Sequence, residues 1–124
     1  MNTIKTIMLL VIIALLSACS SEDAPKNNPP VLEDMALDVR ENISSDLITT
    51  IIATDLDEDT LIYSIVSQTP VNSVTINSTN GEIYVSDARS FDYDLNQSIT
   101  VTIKVSDGKS ETTARLVITI TNAS

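Results

Sequence analysis

From Val31 to the end of the chain, apolar and polar residues alternate in short runs with a period of two, and no stretch repeats at the helical period. The clearest run is Ser98 to Ser106, with Ile99, Val101, Ile103 and Val105 on one face and Thr100, Thr102 and Lys104 on the other. Ser110 to Thr121 does the same, setting Leu116, Ile118 and Ile120 against Arg115 and Thr119. Such alternation marks a strand with one face on a core and the other in water. Weaker runs rich in β-branched residues predict five more strands: Val31 to Arg40 with a break near Asp34, Leu47 to Thr54, Leu61 to Val66, Ser73 to Asn77, and Glu82 to Val85. Asn80-Gly81 predicts a tight hairpin and Asp107-Gly108 another turn. Seven short strands in about 95 residues predict an all-β fold, a seven-stranded Greek-key β-sandwich of the immunoglobulin-like kind. With no Trp, one Phe and one Cys, its core rests on Ile, Val and Leu, without a disulfide.

The first thirty residues follow a different rule. Lys5 precedes an unbroken apolar stretch, Ile7 to Leu16, which is too short to span a bilayer core of about 30 Å. Residues 1–18 are read as an export signal. Leu16-Ser17-Ala18-Cys19 resembles the lipobox of bacterial lipoproteins, which implies cleavage before Cys19 and lipidation of its thiol. Residues 19–27 then form a lipidated, polar tether with an end-to-end distance of roughly 16 Å, ended by Pro29-Pro30. The domain occupies residues 28–122. Ser20, Glu22 and Asp23 resemble sorting signals for the outer membrane or its outer surface, so a lipid-anchored place on a bacterial outer membrane or cell surface is expected.

Charge narrows the partners. Loss of Lys5 with the signal leaves 6 basic against 17 acidic residues, a net charge of −11, which disfavours nucleic acid and anionic lipid alike. Attachment to a membrane therefore falls to the acyl chains. Carboxylates in excess suit divalent cations instead, and the densest group is Asp55-Leu56-Asp57-Glu58-Asp59 between two predicted strands. A solvated acidic loop is the plain alternative. The Asp-x-Asp-x-Asp spacing also opens an EF-hand loop, but Thr60 and Val66 stand where that motif needs Gly and Glu, so the EF-hand reading fails.

Five short motifs fall in order along the domain: Asn28-Pro29-Pro30-Val31, Arg40-Glu41-Asn42, Ala53-Thr54-Asp55-Leu56-Asp57, Phe91-Asp92-Tyr93-Asp94 and Val105-Ser106-Asp107-Gly108, with Gly81-Glu82-Ile83 between. Together they resemble one extracellular cadherin repeat of the bacterial type, over roughly Asn28 to Asn122. The resemblance implies calcium at both ends of the domain. It implies an N-terminal ligand set of Asp55, Asp57 and Asp107 with the Asn28 carbonyl, and a C-terminal set of Glu41, Asp92 and Asp94. Two departures bear on these sets. Lys26 and Asn27 replace linker residues that offer ligands, and Asn122-Ala123-Ser124 does not continue into a linker, so the second set is expected to be half a site.

Three function classes compete. A calcium-binding, surface-anchored adhesion or recognition module, with an unidentified protein or carbohydrate partner, is the leading one. A structural subunit of an envelope assembly, with calcium incidental, is the alternative. An enzyme is disfavoured: there is no His, no phosphate-binding Gly-rich loop, and only carboxylate pairs such as Asp92 and Asp94, in a small sandwich without a deep cleft. The chain is read as a non-enzyme. Asn42, Asn77 and Asn96 open Asn-x-Ser/Thr triplets, expected by chance in so Asn- and Thr-rich a chain.

Overall fold

A computed structural model of the chain describes residues 26–43 and 46–123; the signal segment and Cys19 lie outside the described residues. Among the described residues seven strands form two sheets: β1 (Met35–Arg40), β2 (Leu47–Thr50), β3 (Ile62–Thr69), β4 (Val74–Ile76), β5 (Glu82–Val85), β6 (Ser98–Ser106) and β7 (Glu111–Thr121). One sheet runs β1-β7-β6-β3 and the other β2-β5-β4. All pairings are antiparallel except β1 with β7, which is parallel. The helical content among the described residues is a single 3-10 turn, Ala88–Phe91.

The six residues singled out in the two clearest runs, Ile99, Val101, Ile103, Leu116, Ile118 and Ile120, are all buried, while Arg115 and Thr119 face out. Ile51, Val74, Ile83 and Phe91 complete the core between the sheets, and Tyr63 packs there with its hydroxyl accepting the Ala53 N–H at 3.2 Å. A buried Tyr is tolerable when its polar tip finds such a partner.

Several boundaries differ from the expected ones, each for a local reason. The first expected strand is split: Val31 forms an isolated bridge with Thr54, beyond the end of β2, and the chain then pairs with β7 from Met35. The second strand ends at Thr50 instead of Thr54, because Ile51 turns into the core while Ile52 is thrown out to solvent. The third runs on past Val66 to Thr69, through a bulge between Ile65 and Ser67. The Asn80-Gly81 hairpin is wider than a two-residue turn. It spans 77–81, with the Gly81 N–H donating to the Asn77 carbonyl at 2.9 Å and Asn77 Oδ1 accepting the N–H groups of Thr79 and Asn80. Gly81 takes the positive φ, 77°.

These elements fix the two ends of the sandwich. At one end lie the incoming chain at Asn27 and Asn28, the loop 55–59 after β2, and the turn 107–110 between β6 and β7. At the other end lie Glu41 after β1, the segment 91–96, and the outgoing chain after β7.

Candidate metal centre

The loop 55–59 is built by Asp55. Its Oδ1 accepts the Asp57 N–H at 2.8 Å and the Asp59 N–H at 3.5 Å, and its carbonyl accepts the Glu58 N–H. Glu58 turns the chain with φ of 57°. The result brings one oxygen each of Asp55, Asp57 and Asp59 within 4.8 Å of one another. Bringing like charges this close is unfavourable unless a cation shares them.

Three further residues close on this loop. Asn28 donates both its backbone N–H and its side-chain Nδ2 to the two oxygens of Asp57, at 2.7 and 3.0 Å. Asn27 Nδ2 donates to Asp107 Oδ2 and to Ser110 Oγ, both at 3.0 Å. Asp107 is buried, and its Oδ1 accepts the Ser110 and Lys109 N–H groups at 2.6 and 2.8 Å. Those two amides hold the Asp107 carboxyl below its ordinary pKa; Asn27 and the adjoining Asp55 carboxyl act in the same direction, against the effect of burial.

Three buried side-chain atoms among the described residues have no hydrogen-bond partner: Asn27 Oδ1, Asp55 Oδ2 and Asp59 Oδ2. All three belong to this one end, and all three are oxygens. A buried acceptor left unsatisfied costs about 1–3 kcal/mol, so three at one place mark where water or a cation would be held. An all-oxygen donor set of carboxylates and an amide, with no His or Cys, fits a hard cation such as calcium and does not fit zinc.

At this end the structure holds all four residues of the expected N-terminal set, but in a different arrangement. Asp55 and Asp57 meet with Asp59, whereas Asp107 stands behind Asp55, engaged by the amides of its own turn. Asn28 reaches Asp57 through its donors. Asn27, expected as a lost ligand, instead leaves an oxygen unpartnered beside the acidic loop. Asp59, which is not in the expected set, lies with Asp55 and Asp57, and its i, i+2, i+4 spacing from Asp55 is the sequence signal for it.

The other end is different. Both oxygens of Glu41 are taken by backbone N–H groups, Tyr93 at 3.1 Å and Ala123 at 2.9 Å, and these two, Ala123 first, lower its pKa. Arg40 Nη2 donates to the Ala123 carbonyl at 3.1 Å, so the outgoing chain is gripped by donor and acceptor together. Asp92 Oδ1 accepts the Asp94 N–H at 2.9 Å. Glu41, Asp92 and Asp94 do not gather their oxygens as Asp55, Asp57 and Asp59 do.

The two-sheet order agrees with what comparison with known proteins finds. A family model described as the cadherin domain matches residues 36–121. The chain belongs to the cadherin domain family. Among solved structures it is similar to human protocadherin-24 EC1-2 (TM-score 0.69, 20% identity, 77% of this chain and 45% of that one). It is also similar to human mucin-like protocadherin EC1-2 (0.67, 15%, 81% and 56%) and to mouse cadherin-23 EC22-24 (0.68, 18%, 77% and 33%). The cadherin repeat here thus spans less than two thirds of each of those chains, and at these identities the likeness is one of fold. A search of curated proteins finds no match. The cadherin domain is an adhesion-type extracellular module, which is the coarse functional class of this chain.

Proposed function

We propose that this cadherin repeat is a calcium-binding adhesion or recognition module, carried on a bacterial outer membrane or cell surface by a lipid on Cys19. The observation that carries the calcium reading is the trio of buried, unpartnered oxygens on Asn27, Asp55 and Asp59. Calcium would be held by Asp55, Asp57 and Asp59, with Asn27 and Asp107 behind them, and would supply the positive charge that keeps the loop 55–59 and the incoming chain in one geometry. Loops fixed in this way can present a constant surface to a protein or carbohydrate partner. Glu41, Asp92 and Asp94 are the weaker site, because Glu41 already serves two backbone amides.

Thermal melting tests this reading. Extracellular modules bind calcium at about 10⁻⁴–10⁻³ M, so millimolar calcium stabilises the domain by at most about 1.5–2 kcal/mol, several degrees in Tm for its size. Asp57→Ala and Asp59→Ala are each expected to remove most of the shift between calcium and chelator, and Asp94→Ala to leave most of it. Equal melting of the wild type with and without calcium would favour the alternative, a structural subunit of an envelope assembly.

The anchor is tested separately. Cys19 is the single Cys and ends the lipobox-like tetrad, so Cys19→Ala is expected to move the protein from the membrane to the soluble fraction. A fatty-acid analogue should label the wild type and not the variant; an unlabelled wild type removes the lipid from the proposal.

A further inference from the structure

Two lysines stand where a cation site has least use for them. Lys26 and Lys109 line the same cavity of about 200 Å³ as Asn27, Asp57 and Asp59. Their positions are set by the acidic end itself. Lys26 adjoins Asn27, whose side chain is bonded to Asp107, and the Lys109 N–H donates to Asp107 Oδ1. Both residues are exposed, and neither takes part in the two side-chain ion pairs among the described residues, Arg89 with Asp87 and Lys104 with Glu111. Two ammonium groups on flexible four-carbon stems are therefore tethered at the mouth of an acidic cavity without a fixed carboxylate partner.

Resting on the calcium reading, we propose that Lys26 and Lys109 are built-in competitors of the divalent cation. In the cation-free protein their ammonium groups offset the repulsion among Asp55, Asp57 and Asp59 from within the cavity, and they swing out to solvent when the cation is taken up. The device weakens calcium binding and protects the empty domain. The two effects are linked, because a group that stabilises the cation-free state must lower affinity by the same coupling. It also makes uptake depend on ionic strength, since charges facing one another across a water-filled cavity are screened by salt.

The test uses the full chain in detergent, with calcium chloride as the probe. For Lys26→Met/Lys109→Met the expected result is calcium binding tighter by roughly tenfold at low salt and by about threefold at 0.15 M. Its melting temperature in chelator is expected to fall below that of the wild type. Arg89→Gln/Arg115→Gln, which removes the same net charge away from the cavity, is expected to leave the affinity unchanged. If the lysine variant binds within twofold of the wild type at low salt, or if the arginine variant gains as much, the competition is overturned and the calcium reading stands. Binding by the lysine variant where the wild type shows none supports the competition in its strongest form. Binding by neither overturns both readings.

Discussion

Phe91→Ala is expected to lower the stability of the domain by about 3–5 kcal/mol, the range for removing a large buried aromatic. Phe91 is the chain's one Phe and is fully buried at the end of the 3-10 turn. Its carbonyl also accepts the Asn42 N–H, tying the segment after β1 to the segment that carries Asp92. The loss is therefore of packing between sheets and of the support under one end of the sandwich. Small domains have about 5–15 kcal/mol in all, so much of the total is at stake. Urea unfolding measures it. Phe91→Leu, which keeps most of the volume, should cost under about 1.5 kcal/mol; equal losses for Ala and Leu would show that packing volume is not the cause.

Gly81→Ala is expected to cost about 2–4 kcal/mol, an unusual amount for adding one methyl. Two effects combine. Gly81 sits at φ of 77°, which disfavours any residue with a Cβ by about 1–2 kcal/mol, and that Cβ would be driven into the Ile51 carbonyl oxygen. The backbone there cannot easily retreat, because the Ile51 N–H donates to the Gly81 carbonyl at 2.9 Å and the two strands meet at this point. Gly108→Ala is the control. Its φ of 92° carries the same conformational cost, but nothing lies within 4 Å of the added carbon. The melting temperature of the Gly108 variant should fall by clearly less, and equal falls would rule out the close approach to Ile51.

Legibility in the sequence followed burial. β6 and β7 were readable to within a residue because one face of β6, and of β7 from Leu116 on, lies fully on the core, so the period of two is clean there. β3 was not. As the edge of its sheet it owes less to the core, its bulge at Ile65 to Ser67 breaks the alternation, and Ser67, Gln68 and Thr69 look like a loop. What keeps them in a strand is non-local: they pair with Thr102, Val101 and Thr100 of β6, and the Gln68 side chain adds a nearer tie, donating to the Val74 carbonyl and accepting the Val74 N–H. The same limit applied at the acidic end. Asp55 and Asp57 stood out by spacing and by family likeness, but the part of Asn27 depends on Asp107, 80 residues away, and no local pattern records that contact. Asp59 is legible in the i, i+2, i+4 spacing of the acidic loop, although the family likeness does not include it.

The parallel pairing of β1 and β7 bears on how the molecule answers a pull. The chain comes in beside Asp107 and goes out past Glu41, so tension between the two ends runs lengthwise along this pair. Six residue pairs, Met35 with Leu116 through Arg40 with Thr121, then slide against one another as a block. Strands loaded lengthwise must break their bonds together, whereas strands peeled apart at one end lose them one at a time. The grip of Arg40 and Glu41 on Ala123 adds a lock at the outgoing end of the same pair. Resistance to a pull along the long axis is thus expected to exceed resistance to one across it, because the first must break the β1-β7 bonds together and the second breaks them in turn.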